Sequence, residues 1–311
     1  MFSTPVVFIV FNRADTTAKV FEVIRKMQPE KLYVIADGPR SEEEKTRTKA
    51  TRKVIENIDW PCTVVRIYSE VNLGCRQRVI SGLNEVFSQT EEAIILEDDC
   101  LPDPSFFTFC ETLLSRYRKD VSVMHIGGNN FQFGRVVGDG DYYFSSYAHI
   151  WGWATWRRAW QQFQPKLKDI KAFKEGSLMA YCNGEEDQMT YWKNILETIE
   201  RPGYTAWSYH WLFTVWQHSG KAIIPNKNLV CNIGFEGSFT HTKSKPSWYE
   251  DVHLNELKTY QSPDEEGINF QADTFSFFKI FQAWPKEYSY FQRLKISIKR
   301  KLKTVLFESK S

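Results

Sequence analysis

Ala93-Ile94-Ile95-Leu96-Glu97-Asp98-Asp99 decides how the rest of this chain is read. Four apolar residues run directly into three carboxylates, and Cys100-Leu101-Pro102 ends the run. A strand sends successive side chains to opposite sides, so one or two of these acids can meet at a point beyond its end. Adjacent carboxylates repel and must be hydrated, paired or shared with a cation. Oxygen donors suit Mg2+ or Mn2+, which usually complete their shell with substrate phosphates. A solvated acidic turn is the alternative, but the apolar strand before the acids and the stop after them favour a functional edge.

Working back from this strand, the first 130 residues alternate strand and helix signals. Val6 to Phe11 is a continuous apolar run, suited to a strand covered on both faces. Asp15 or Thr16 can cap a helix with Val20, Phe21, Ile24 and Met27 on one face. Leu32 to Ala36 is a second strand, ended by Asp37-Gly38-Pro39. Ser41 with Glu44 makes a capping box for a lightly packed helix whose stripe is Ala50, Val54 and Ile58. Thr63 to Tyr68 is a third strand. Asn72-Leu73-Gly74 is a turn into a helix with Val79, Ile80, Leu83, Val86 and Phe87 inward. This order predicts an open parallel sheet, in which ligands bind beyond the carboxyl ends of strands. Asn12-Arg13, Asp37, the segment from Asn72 to Arg78 and the acidic triplet all fall at that edge.

Past residue 130 the periodicity breaks. His149 to Trp160 packs four tryptophans into a short span. Trp156 and Trp160 read as core. Trp151 and Trp153, separated by Gly152, read either as core or as faces for the C–H side of a sugar. Trp207-Ser208-Tyr209-His210-Trp211 and Asn232-Ile233-Gly234-Phe235 follow, then a polar loop holding His241.

Composition sets the bounds. The 311 residues are 42% hydrophobic and 15% aromatic, enough for a large core in one or two domains. A net charge of +2 gives no polyanion field, and no nucleic-acid partner is expected. The six cysteines lack any Cys-x-x-Cys pair and read as reduced thiols of a cytoplasmic protein. Val6 to Phe11 is too short for a signal h-region, and no run approaches a membrane span.

Taken in order, Phe11-Asn12-Arg13, Ala36-Asp37-Gly38-Pro39, Asn72-Leu73-Gly74, Ile95 to Asp99, Trp151 to Trp156 and Asn232 to Phe235 resemble the GT-A type nucleotide-diphospho-sugar transferases. The group it looks most like is the bacterial hemolytic-protein-like glycosyltransferases, with a more distant resemblance to the N-acetylglucosaminyltransferase I family. The resemblance covers roughly residues 3 to 245. It implies an α/β, Rossmann-like GT-A fold: a mostly parallel sheet flanked by helices, with an aromatic-rich acceptor half. Residues 1–130 would form the nucleotide-sugar half, 131–245 the acceptor half and 246–311 a C-terminal extension. Asp99 would hold Mn2+ or Mg2+, Asp98 would face the ribose and metal shell, and Glu97 the donor sugar. Asn12, Arg13 and Asp37 would border the nucleobase, with Arg76 and Arg78 beside the nucleotide or merely on a helix surface. His241 would touch the diphosphate or metal, and Trp151 and Trp153 the acceptor.

One departure from the family pattern concerns the general base. Relatives often carry an aspartate after the tryptophan matching Trp207, and Ser208 stands there instead. His210 has a suitable ordinary pKa, and Asp187, beside Glu186, is a further option. The expected activity is transfer of a sugar, with inversion, from a nucleotide-diphosphate donor such as a UDP-sugar to a glycan or lipid-linked acceptor, as in surface polysaccharide synthesis. A sugar-phosphate nucleotidyltransferase is one rival, although Asn12-Arg13-Ala14-Asp15 lacks the glycine-rich basic loop. A non-catalytic sugar-nucleotide- or glycan-binding protein is another.

From Phe291 onward, Phe291, Leu294, Ile298, Leu302 and Val305 share a helix face among Arg293, Lys295, Lys299, Arg300, Lys301 and Lys303. Such a basic amphipathic helix either docks on the body or lies on an anionic membrane surface. The latter would make the protein peripheral on the inner face of the membrane.

Overall fold

A computed structural model describes residues 2–236 and 246–281. His241 and the basic segment from Phe291 therefore lie outside the described residues. The first half runs β1 (Val6–Val10), α1 (Ala14–Met27), β2 (Lys31–Ala36), α2 (Glu42–Val54), β3 (Thr63–Tyr68), α3 (Cys75–Gln89) and β4 (Glu92–Glu97). Next come β5 (Cys100–Pro102), α4 (Pro104–Arg116), β6 (Val123–Gly127), β7 (Tyr142–Ser145), β8 (Trp153–Trp156) and the short α5 (Arg157–Trp160). Then follow α6 (Ile170–Glu175), α7 (Ser177–Tyr181), α8 (Glu186–Ile199), α9 (Ser208–Gln217), β9 (Lys221–Pro225), β10 (Val230–Asn232) and α10 (Phe270–Ile280).

The main sheet has the order β3-β2-β1-β4-β8-β6-β9-β7. Strands β3, β2, β1, β4, β6 and β9 point one way, and β8 and β7 run against them. The fold is thus α/β and Rossmann-like, with a largely parallel sheet. Strand alternation builds both faces. Val6, Phe8 and Val10 of β1 join Leu32 and Val34 beneath α1 and α4. Val7 and Ile9 join Tyr33, Ile35 and the apolar side of α3 on the other face. Strand order reverses between β1 and β4, and such a switch point opens a crevice at the carboxyl edge.

Three local expectations change. Helix α1 starts at Ala14 with Arg13 at its cap: Thr17 Oγ1 donates to the Arg13 carbonyl at 2.6 Å, while the Arg13 side chain turns to the acidic edge. The buried side of α2 is Glu44, Thr48 and Thr51 rather than Ala50, which is exposed. Ser41 does accept from Glu44 N–H at 3.3 Å, but the Glu44 carboxylate closes no box and reaches Asn12 and Arg40 instead. Trp156 and Trp160 are core as expected, yet Trp156 ends a strand and Trp160 a single helical turn.

A second, two-stranded sheet matters for the site. β5 leaves the acidic triplet and pairs antiparallel with β10, Cys100 opposite Asn232. This pairing carries Asn232-Ile233-Gly234-Phe235 back to Asp99, where Ile233 N–H donates to the Asp99 carbonyl at 2.7 Å.

Candidate functional site

The acidic triplet sits at the end of β4, beside the end of β1 and therefore at the switch point. Asp98 is 3% exposed and accepts from Phe11 N–H at 3.1 Å. Arg13 forms an ion pair with Asp98 and another with Asp99 Oδ2 at 3.0 Å. Gly234 closes over this pair: a Cβ there would lie 2.5 Å from Asp99 Oδ2 and 2.8 Å from Arg13 Nη1. Only glycine allows that approach.

Three carboxylates face one guanidinium, and the charges do not balance. Burial raises the Glu97 carboxyl to about 8, helped by Asp99 and Asp98, with Arg13 only partly offsetting them. Burial likewise raises Asp98 to about 6 against the opposing pull of Arg13. Burial works against the charge on Arg13, but Asp98 and Asp99 outweigh it and hold the guanidinium ionised. A further positive charge brought to this edge would lower both raised carboxyls, so an oxygen-seeking divalent cation fits the donor chemistry. Among the described residues no three His, Cys, Asp or Glu side chains are grouped to hold a metal by themselves. A cation here would draw on one or two carboxylates.

Asp37 departs from its expected part. It is 5% exposed, and both its oxygens are occupied. They accept from the N–H groups of Gly38 and Leu73 at 2.9 Å, from Gly74 N–H at 3.0 Å and from Asn72 Nδ2 at 3.1 Å. The carboxylate thus staples the 72–74 turn, and with it the start of α3, onto the end of β2. Asn12 Nδ2 in turn donates to Glu44 at 2.6 Å. Glu44 also takes Arg40 N–H at 2.7 Å and pairs with the Arg40 guanidinium, which holds its carboxyl down at about 2. Sequence reading missed Glu44 and Arg40 as site-building residues. The signal was a glutamate on the buried side of an otherwise charged helix.

Arg76 and Arg78 separate cleanly. Arg76 leaves the crevice and binds the carbonyls of Pro165 and Tyr204 and His210 Nε2, the last at 3.1 Å. Arg78 is 7% exposed, and its Nε has no partner among the described residues. Burial lowers its pKa while Asp37 pulls the other way. The first turn of α3 holds no acidic residue, so the amides of that turn and the Arg78 guanidinium share one end of the helix.

The second-half expectations are corrected in two places. Trp153 is fully buried and stacks on His125 at 5.2 Å, with Trp207 and Trp211 at 5.7 and 5.6 Å. It is core and offers no face to an acceptor. His210 is 1% exposed, and its Nε2 lone pair is taken by Arg76. Burial, reinforced by the Arg76 charge, lowers it to about 4, which makes it a poor base at neutral pH. Asp187 lies in the first turn of α8, whose next residue, Gln188, binds Tyr147 and Thr274. No described contact joins Asp187 to the acidic triplet. Trp151 remains half-buried at the crevice.

A cavity of about 550 Å³ lies elsewhere, at the amino edge of β4, lined by Glu91, Glu92, Arg118 and Arg157 among others. Its ion pairs are internal, Arg118 to Glu92 and Arg157 to Glu91, and it shows no unmet demand for a ligand. No helix among the described residues is long and apolar enough to cross a membrane.

No family model and no curated protein matches the chain. Among solved structures it is similar to UDP-glucose pyrophosphorylase complexed with UDP-glucose, at 10% identity and a TM-score of 0.37 over 75% of this chain and 94% of that one. S. aureus TarS 1–349 gives 13% identity and 0.36 over 58% and 56%. The 4-diphosphocytidyl-2C-methyl-D-erythritol synthase of Anaerococcus prevotii DSM 20548 gives 9% and 0.35 over 63% and 100%. At these scores the similarities say nothing of function.

Proposed function

We propose that the chain is a metal-dependent glycosyltransferase of the GT-A type, moving a sugar from a nucleotide-diphosphate donor such as a UDP-sugar to a glycan or lipid-linked hydroxyl. The observation that carries this reading is the charge imbalance at the switch point: three carboxylates stand together at the end of β4 and Arg13 pairs with only two of them, Asp98 and Asp99, while Arg78 Nε near the start of α3 has no partner among the described residues. A nucleotide diphosphate with a divalent cation supplies what each lacks. Asp99, with Glu97 two residues before it, would hold Mn2+ or Mg2+, whose chemistry is to offset the charge of a leaving diphosphate. Arg78 and the amides of the first turn of α3 would take phosphate oxygens. Asp98 fixes Arg13 and so the β1 loop, and Asp37 fixes the turn before α3.

The test is calorimetry and thermal shift with a panel of UDP-, GDP- and CDP-sugars, with and without Mn2+. A native-state ligand at a hundredfold excess over Kd adds about 2.7 kcal/mol of stability. Cation-dependent binding of one nucleotide family is expected, followed by donor turnover once an acceptor is supplied. Pyrophosphate release from a nucleoside triphosphate and a sugar 1-phosphate would replace this reading with a nucleotidyltransferase.

A further inference from the structure

Between the acidic triplet and the second half stands a group of aromatic rings that are not all spent on the core. Trp151 meets Phe131 at 5.5 Å, Phe235 at 5.8 Å and Trp248 at 6.0 Å. Phe131 and Trp248 are themselves 5.4 Å apart. Phe131 is 5% exposed and forms the floor. Trp151, Phe235 and Trp248 are half-buried and form the rim.

Two short connections hold this rim against the carboxylates. Ile95 of β4 pairs with Trp153 of β8 in antiparallel register, so the chain before Trp153 runs back alongside Leu96 and toward Glu97. Gly152, at φ +66°, makes the turn there, and a Cβ on it would lie 2.7 Å from Val230 Cγ2 and 3.2 Å from Leu96 Cδ2. On the other side Gly234 abuts Asp99, and Phe235 is the next residue. Trp151 and Phe235 therefore each follow or precede a glycine packed on the end of β4.

Rings beside carboxylates match one class of molecule well. A pyranose has a C–H face that lies on aromatic carbon and hydroxyls that donate to carboxylate oxygens. An apolar peptide would leave the acids unpaired at a cost. A planar base can stack on one ring as well, but it offers the acids few N–H donors where a pyranose offers several hydroxyls, and with Phe131, Phe235 and Trp248 at 73°, 64° and 34° to Trp151 no pair forms a parallel slot for it. We propose that Trp151, Phe235 and Trp248, standing on Phe131, are the platform for the pyranose ring of the acceptor saccharide, its hydroxyls turned toward the end of β4. This assignment rests on the glycosyltransferase reading above.

The test uses the full chain labelled with 5-fluorotryptophan, followed by 19F NMR in the presence of UDP and Mn2+. The probes are methyl β-D-glucopyranoside, methyl β-D-galactopyranoside, methyl α-D-mannopyranoside and methyl N-acetyl-β-D-glucosaminide. Trp151→Phe and Trp248→Phe assign the two resonances. At least one glycoside should shift both saturably. Trp248→Ala should raise its half-saturating concentration about tenfold, while UDP affinity by calorimetry stays within about twofold of the parent. Trp248→Phe should fall between parent and alanine variant, a graded response that separates lost stacking from lost fold. Bound UDP with no glycoside shift, or an alanine variant that binds glycoside as the parent does, overturns the platform and leaves the donor reading intact. Glycoside shifts without any UDP binding overturn the donor reading and this acceptor assignment with it.

Discussion

The two sides of the crevice are built on opposite plans. In residues 2–130 the apolar side chains follow strand and helix periods, and polar groups gather at one sheet edge, where they hold loops: Asp37 the 72–74 turn, Glu44 Asn12 and Arg40, Asp98 Arg13. In residues 131–236 the core is a stack of large rings drawn from strands, single turns and loops alike, with Trp153 and Trp160 in contact with each other and each with Trp207 and Trp211. The first plan makes a site whose polar residues can change without emptying the core. The second makes a wall in which nearly every large residue is structural. The same kind of substitution should therefore be read out as binding on one side and as stability on the other.

The largest effect expected is Trp153→Ala. Its ring is fully buried among four others, and truncating such a residue costs about 3–5 kcal/mol. Urea unfolding should show that loss with an unchanged slope, and UDP affinity should be near normal at temperatures where the variant is folded. Loss of UDP binding at full stability would put Trp153 back at the site and break the comparison.

Acid should act on the second half as well. His210 has its pKa lowered from 6.5 to about 4, so the native state binds that proton more weakly than the unfolded chain. The stabilisation is full above pH 6.5 and is lost as pH falls from 6.5 through 4, by up to about 3 kcal/mol. Asp273, accepting from Ser146 N–H and Ser146 Oγ at 2.7 Å, is raised by burial to about 6. Its contribution has the opposite sign, present below 3.8 and lost as pH rises through 6. Melting His210→Gln and Asp273→Asn between pH 4 and 7 separates them: the first should flatten the acid loss, the second should steepen it. A His210→Gln variant with normal stability and a rate down about 10²–10⁴ would instead restore His210 as the base.

On the first side, Asp99→Asn should weaken cation-dependent UDP binding by about 100-fold or more, with no loss of apo stability beyond its one ion pair to Arg13. Mn2+ titrations by calorimetry read this directly. A variant with full Mn2+-dependent affinity would remove Asp99 from any cation site.

The same contrast explains what could be read from the residues alone. Strand and helix positions through β4 were legible because burial on both faces produces continuous apolar runs and helices keep an apolar stripe. Placing the triplet beside Arg13 needed only the rule that strand ends at a switch point converge. Trp151 and Trp153 could not be told apart, because the left-handed turn at Gly152, φ +66°, ends the register of β8 between them and leaves Trp151 outside the strand. That register is set by pairing with β4, distant in sequence. Glu44 was misjudged for a related reason: a capping box and a long-range carboxylate clamp share one local pattern. His210 looked like a base because its ordinary pKa is right, and only burial and the approach of Arg76 reveal otherwise.

The smallest expected effect sharpens the comparison most, because it separates holding from reading within the first half. If Asp37 reads a base, as its place after β2 suggested, Asp37→Asn should change the ratio of UDP to GDP affinity. If it holds the 72–74 turn, the replaced oxygen turns an amide N–H₂ toward the donors of Leu73 and Gly74, both within 3.2 Å. One or two of those hydrogen bonds are then lost, at about 1–2 kcal/mol. The start of α3 loosens, and UDP and GDP weaken together, by about tenfold each. Calorimetry with both nucleotides on the parent and the variant decides it: a constant UDP-to-GDP ratio assigns Asp37 to positioning, and a ratio that moves by tenfold assigns it to the base. The geometry favours the first outcome, since four donors already converge on two oxygens and leave little capacity for a ligand.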